Sequence, residues 1–568
     1  MLPLTPRHAT YKWRLPCICS LVLAQLLQSL ASSLLARLAS PRWVQTRTEI
    51  ETEPAMSTTT LQLLPWPPEP ARAALLLLPP LLLAAVVVCL WVLLSRRLSG
   101  RERAAGGKEQ QAAPARLPPG SFGWPLVGET LDFVSCAYSS CPEAFVDKRR
   151  LLHGSAVFRS HLFGSATVVT SDAEVSRFVL QSDARAFVPW YPRSLTELMG
   201  KSSILLINGS LQRRVHGLVG AFFKSPQLKA QVTADMQRRL APALDAWRAR
   251  GPGAAPLRIQ DHAKTIVFEI LVKGLIGLEA GPEMQQLKHQ FQEFIVGLMS
   301  LPIKLPGTRL YRSLQAKKRM ARLIQGIIQE KRRRQRAALD GGGEGEAGPP
   351  RDAIDVLVSG GSDELTDELI SDNMIDLMIP AEDSVPVLIT LAVKYLSECP
   401  LALQQLEEEN MQLKRRKTDM GETLQWTDYM SLSFTQHVIT ETLRMGNIIN
   451  GIMRKAVRDV EVKGHLIPKG WCVFVYFRSV HLDDKRYDEP YRFNPWRWKE
   501  KDTSTSSFTP FGGGQRLCPG LDLARLEASI FLHHLVTSFR WVAEEDHIVN
   551  FPTVRLKRGM PIRLTSKD

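Results

Sequence analysis

The chain has 568 residues, 44% of them hydrophobic and 23% charged, and a formal net charge of +15. This length and composition allow a large buried core and exclude a disordered chain, while eight scattered cysteines exclude a disulfide framework and suit a reducing compartment. The basic excess favours an acidic partner or an anionic membrane face, and the lack of a basic motif interleaved with aromatics argues against nucleic acid.

Residues 1–72 read as an N-terminal extension. The apolar stretch Cys17–Leu38 is interrupted by Gln25, Gln28 and Arg37. It reads either as an amphipathic targeting segment or as an artefact of the gene's reading frame, with Met56 as the expected start. Residues 73–94, AALLLLPPLLLAAVVVCLWVLL, carry no charge. At about 1.5 Å per residue such a helix crosses a hydrocarbon core of roughly 30 Å, so a single transmembrane anchor in membrane lipid is expected, kinked at Pro79 and Pro80. Arg96, Arg97, Arg101 and Arg103 follow it and only Arg72 closely precedes it, which puts the C-terminal side in the cytosol. Residues 95–116 are a polar, Gly/Ala-rich linker. Pro118 and Pro119 then stiffen the entry to a body spanning 117–568.

In the body, AVFRSHLFGSATVVT (156–170) alternates as strands do. In GSLQRRVHGL (209–218), Gln212 and His216 fall on one helical face with Arg213 beside the first. Segments 234–249, 283–299, 313–336 and 401–417 carry apolar residues at three- and four-residue spacing and read as long helices. Residues 340–352, DGGGEGEAGPPRD, have nothing to bury and read as a loop. The helical run 367–396 contains Pro380 and Pro386, which should open it locally around the acid and alcohol of Asp383 and Ser384. ETLR (441–444) sets a carboxylate three residues before an arginine. Residues 451–477 alternate as further strands. The reading is a mainly α domain with small β-sheets.

The stretch Phe511–Gly520, FGGGQRLCPG, places one cysteine behind three glycines. A thiolate is a strong ligand for iron, and glycines let a loop approach a flat macrocycle and adopt positive φ. Arg516 stands two residues before Cys518, and a helix starting near Leu521 would aim its first amides at the sulfur.

Phe511, Gly514, Arg516, Cys518 and Gly520 spell F-x-x-G-x-R-x-C-x-G, which resembles the haem signature of cytochromes P450. Glu441 and Arg444 resemble the family's E-x-x-R, and PYRFNPWRW (490–498) its P-x-x-F-x-P-x-R-W segment. The resemblance covers Leu117 to about Leu564 and implies several roles. Cys518 would be the axial ligand of haem b iron, with Arg516 on a propionate. Glu441, Arg444 and Arg497 would form a buried charge network under the haem loop. Pro380–Ser384 resembles the family's A/G-G-x-D/E-T/S, which makes Asp383 and Ser384 the proton relay to iron-bound dioxygen. Gln212 and His216 stand where many members have W-x-x-x-R, which leaves His216 and Arg213 as weaker propionate partners.

The expected function is that of a monooxygenase using O2 and electrons from NADPH–cytochrome P450 reductase, in the endoplasmic reticulum membrane with its catalytic domain on the cytosolic face. An acidic reductase suits a basic face near Arg516 and Leu413–Lys417. The segments 120–130 and 201–229 and the haem loop resemble plant members that make brassinosteroids, on the branch given both C-23 hydroxylation and C-3 oxidation of 22-hydroxylated campestane sterols. C-23 hydroxylation is the preferred expectation. The alternatives are C-3 oxidation, reductase-free hydroperoxide rearrangement, and a non-enzymatic haem- or sterol-binding protein; an intact Asp383–Ser384 pair argues against the last two. Pocket walls are expected from 187–200, 290–307, 377–381 and 446–453.

Overall fold

Apolar residues recurring every three or four positions become the long helices that dominate the molecule, as the spacing predicts. The computed structural model describes residues 115–567, apart from 125–126, 252, 299, 341–349, 361–364, 500–506 and 552. These belong to the second of two units, Val87–Asp568; the first, Met1–Val86, with the extension and most of the anchor, lies outside the described residues. Among the described residues no single helix is long and apolar enough to cross a membrane.

The expected helices run over Pro226–Arg248, Pro282–Ile295, Arg309–Asp340 and Pro400–Met420. The second stops short of the expected residue 299, turning at Val296–Leu298. At the centre lies Val385–Glu398, apolar on almost every face and therefore buried on almost every face. It packs on Ile259–Ile276, Ser433–Gly446 and Leu521–Ser538. Its apolar side chains join one continuous core that includes Phe268, Ile389, Leu396, Val438 and Phe531. At about 25 cal/mol per Å² of apolar surface, such a core is the main stabilising term.

The alternating segments form a five-stranded sheet at one side. Val157–Leu162 pairs with Ser165–Thr170 as a hairpin. Ser165–Thr170 lies parallel to Cys472–Tyr476, which pairs antiparallel with Gly451–Ala456, and that strand pairs with Phe187–Pro189. A smaller sheet joins Leu257–Arg258, Pro561–Ser566 and Phe539–Ala543.

Two features position the site. The helical run 367–398 breaks at Ser384, which sits at φ −124° and ψ −69° between Asp367–Asp383 and Val385–Glu398. Proline has no amide hydrogen, so Pro380 and Pro386 leave the carbonyls of Asp376 and Glu382 without their helical donors. Ser433–Gly446 ends at Asn447 in the left-handed region, φ 43°, and turns the chain into the strand Gly451–Ala456.

Candidate active site

The helix break, the glycine-rich loop and the sheet edge enclose a cavity of about 360 Å³. Its wall is largely apolar, with Leu205, Leu377, Leu388, Ile448 and Phe477 among its members. Cys518, Ser384, Asp376, Arg454 and Arg516 supply polar groups. A mostly apolar cavity with a few convergent polar groups is the usual form of a small-molecule site.

The cysteine loop is fixed by its own backbone. The Cys518 amide donates to the Phe511 carbonyl at 3.0 Å. Gly520 caps the helix Leu521–Ser538, as expected. Burial pushes the Cys518 thiol up, and the Gly520 amide, directed at the sulfur, opposes this. Gly514 is at φ 64°, and a Cβ there would stand 2.2 Å from the Leu180 carbonyl oxygen. Its role is close packing on the chain at Leu180. Gly512, at φ 75°, has nothing within 4 Å of a built Cβ and leaves the cavity wall open.

Beneath the loop, Glu441 and Arg444 are both 0% exposed. Arg444 donates to Glu441 from Nε at 2.9 Å and from Nη2 at 2.8 Å. Arg497 Nε donates to the same carboxylate at 2.9 Å, Trp498 Nε1 at 2.9 Å and the Asn494 amide at 3.1 Å. Arg444 Nη1 also donates to the carbonyls of His481 and Pro490, at 2.9 and 2.7 Å. His481 Nε2 in turn accepts from the Thr509 amide at 3.1 Å, so the network reaches the start of the cysteine loop. The three residues expected to form a charge network are thus brought together.

Other expected site residues are placed differently. Ser384 lines the cavity, but Asp383 turns away, its carboxylate accepting from the Thr553 hydroxyl at 3.4 Å. Burial raises the Asp383 pKa above the usual carboxylate range, with Lys264 opposing and Glu382 adding to the rise. Arg213 is exposed and absent from the cavity wall, because it lies a quarter-turn around its helix from Gln212 and His216. His216 lines the cavity, yet its Nε2 donates to the Leu517 carbonyl at 2.8 Å. A carbonyl only accepts, so Nε2 carries the hydrogen and spends it on Leu517 rather than on a propionate. Gln515 Nε2 donates to Gln212 at 2.7 Å. Gln212 and His216 therefore clip the cysteine loop to the helix Gly209–Lys224.

Arg516 turns inward rather than onto a basic outer face. It donates to Asp183 at 2.8 Å, to the carbonyls of Ile204 and Ile207 at 3.0 and 2.6 Å, and to Asn208 at 2.9 Å. Arg454 is a cavity residue that sequence reading missed. The signal was there: it alternates with Ile452 on one strand, and both line the cavity. Its Nε has no hydrogen-bond partner among the described residues and lies 3.9 Å from Asp183. Two guanidinium groups thus face one carboxylate, and an anion is the missing complement. With the open glycine wall and the inward thiol, these residues fit a haem, whose carboxylates Arg454 and Arg516 would hold. Of the expected walls, Tyr191, Leu377, Pro380, Ile448, Ile449 and Ile452 line the cavity, while Phe291 and Phe294 belong to the core.

Residues 118–561 match the family described as Cytochrome P450. The chain is 85% identical over 457 residues to Cytochrome P450 90D2 of Oryza sativa subsp. japonica, covering 80% of this chain and 91% of that one. It is 60% identical over 447 residues to 3-epi-6-deoxocathasterone 23-monooxygenase CYP90D1 of Arabidopsis thaliana, covering 79% and 89%. It is 40% identical over 456 residues to the 3beta,22alpha-dihydroxysteroid 3-dehydrogenase of Arabidopsis thaliana, covering 80% and 93%. Among solved structures, retinoic acid bound cyanobacterial CYP120A1 shares the fold, with a TM-score of 0.67 at 24% identity over 80% of this chain and 100% of that one.

Proposed function

The chain belongs to the cytochrome P450 family, in its brassinosteroid-biosynthesis group, and from that premise we propose that it hydroxylates a 22-hydroxylated campestane sterol at C-23. One observation carries the regiochemistry: the relative named as a 23-monooxygenase is markedly more similar than the one named as a 3-dehydrogenase. The enzyme is a haem-thiolate monooxygenase supplied with electrons by a reductase. Haem b, when bound, supplies activation of dioxygen at iron, one oxygen atom entering the substrate and the other leaving as water.

We assign the residues as follows. Cys518 would hold the haem iron through its thiolate, and the Gly520 amide would moderate its charge. Arg454 and Arg516 would hold the propionates. Ser384 holds a proton on its hydroxyl at the cavity wall, at the break between the two helices. Asp383 resupplies that proton from the Thr553 side, and burial favours its protonated form. The apolar wall excludes bulk water and seats the sterol.

The partner is NADPH–cytochrome P450 reductase. Lys414, Arg415 and Arg416 are exposed on one helix and offer an acidic partner a basic patch. The apolar run 73–94, with the arginines that follow it, supports a single-pass anchor in the endoplasmic reticulum membrane and a cytosolic catalytic domain.

The test is product analysis. The chain from Met56 is expressed in membranes with a plant reductase, NADPH and a 22-hydroxylated campestane sterol, and the new oxygen is located by mass spectrometry and NMR. A 23-hydroxyl product is expected. A ketone at C-3 would overturn the regiochemistry, and turnover without the reductase would overturn the electron route.

A further inference from the structure

Asp376 is a carboxyl side chain in a wall that is largely apolar. It lies on the helix Asp367–Asp383, eight residues before Ser384 at the break, roughly 12 Å along the axis at 1.5 Å per residue. It is 6% exposed and lines the cavity with Leu377 and Pro380. The Ser203 hydroxyl and the Ile204 amide reach its carboxyl group. Its Oδ2 has no hydrogen-bond partner among the described residues. Lys317, the cation that acts on it, is engaged elsewhere, with Asp372 Oδ1 and the Met199 carbonyl both at 2.7 Å.

A buried carboxyl oxygen without a partner is costly, and cavities that keep one commonly do so for a ligand group. The apolar members of the cavity wall, among them Ile204, Leu205, Leu377 and Ile448, would not suit an ammonium ion or a metal, which need several charged or polar ligands. An alcohol on an apolar body suits it well. We propose that Asp376 is a specificity-determining residue that hydrogen-bonds a hydroxyl group of the bound sterol through its carboxyl group. This rests on the sterol reading given above and deepens it. Burial pushes the Asp376 carboxyl up to about 8, so at neutral pH it carries a proton. A neutral acid can donate to the alcohol oxygen and accept from its hydrogen, which a carboxylate cannot do. Asp376 touches no bond that breaks; it selects and orients.

A sterol of this class has a side-chain hydroxyl at C-22 and another on the ring system at C-3, and either supplies the same chemistry. The experiment separates them. Membranes holding the full chain and its haem are titrated with the dihydroxy sterol and with analogues lacking the 22- or the 3-hydroxyl, and affinity is read from the substrate-induced Soret shift. For Asp376→Leu, affinity for the dihydroxy sterol is expected to fall by about tenfold to a hundredfold, with affinity for one of the two deoxy analogues held within about threefold of wild type. That analogue identifies the hydroxyl. Asp376→Asn, which keeps a donor and an acceptor, is expected to stay within about threefold for all three ligands. Both variants must show the wild-type carbon monoxide spectrum, which excludes misfolding. If Asp376→Leu weakens all three sterols equally, or changes none, the residue is structural or holds only water, and the inference falls. A wild-type enzyme that binds no sterol would refute the sterol reading and this inference together. A wild type that binds them, with the ratio unmoved in the variant, would refute the inference alone.

Discussion

Glu441→Gln removes one charge and almost no volume, so its effect isolates the electrostatics under the cysteine loop. Glu441 accepts from five donors: Arg444 Nε and Nη2, Arg497 Nε, Trp498 Nε1 and the Asn494 amide. A glutamine must turn its NH2 toward one set. Facing Oε2's donors, it strands Arg444 Nε and Trp498 Nε1; facing Oε1's, it strands three. The cheaper choice still leaves two buried donors without acceptors and two guanidinium groups without the Glu441 carboxylate. Breaking a buried pair from one side costs about 3–5 kcal/mol. Set against a total stability of about 5–15 kcal/mol, that is a large fraction. Because Arg444 also holds the His481 carbonyl, and His481 the Thr509 amide, the loss should spread to the cysteine loop. Urea unfolding followed by far-UV circular dichroism, with the carbon monoxide spectrum read in parallel, measures both effects. The expected result is a much lower midpoint and poor haem retention. A variant within about 1 kcal/mol of wild type and with full haem would show that the network does not hold the loop.

Ser384→Ala should leave substrate binding close to wild type, lower turnover and raise NADPH consumption per product; coupled turnover at the wild-type rate would remove Ser384 from the proton route. Gly514→Ala must hold an alanine at φ 64° with its Cβ 2.2 Å from the Leu180 carbonyl oxygen. The left-handed conformation alone costs about 1–2 kcal/mol, and the contact is with backbone, so haem content per protein should drop sharply; unchanged content would mean that the loop shifts freely. His481 is buried, and burial first, then Arg444 and Arg478, push it down to about 3, below its unfolded value near 6.5. Its contribution is therefore complete above about pH 6.5 and is lost as pH falls toward 3, at about 1.4 kcal/mol per unit. His481→Gln should flatten the acid limb of the stability profile by one proton, and an unchanged slope would assign the acid sensitivity to other groups.

Sequence alone determined what depends on neighbours along the chain. Period-four apolar spacing gave the helices, and period-two spacing gave the strands at 157–170 and 451–476. Prolines at 380 and 386 foretold the break, because a missing amide acts locally whatever the packing. The haem loop was legible because its chemistry needs one cysteine and several glycines within ten positions. Tertiary structure decided what depends on residues that are distant in sequence. Arg516 reads as a propionate partner, yet it also clamps Asp183 and the carbonyls of Ile204 and Ile207, some three hundred residues away. His216 gives its donor to Leu517, and Asp383 faces Thr553. Arg454 and Asp376 looked like ordinary positions of a strand and a helix. Only the closure of the cavity left one nitrogen of the first and one oxygen of the second buried without a partner, and that is a property of three-dimensional enclosure, which no local spacing encodes.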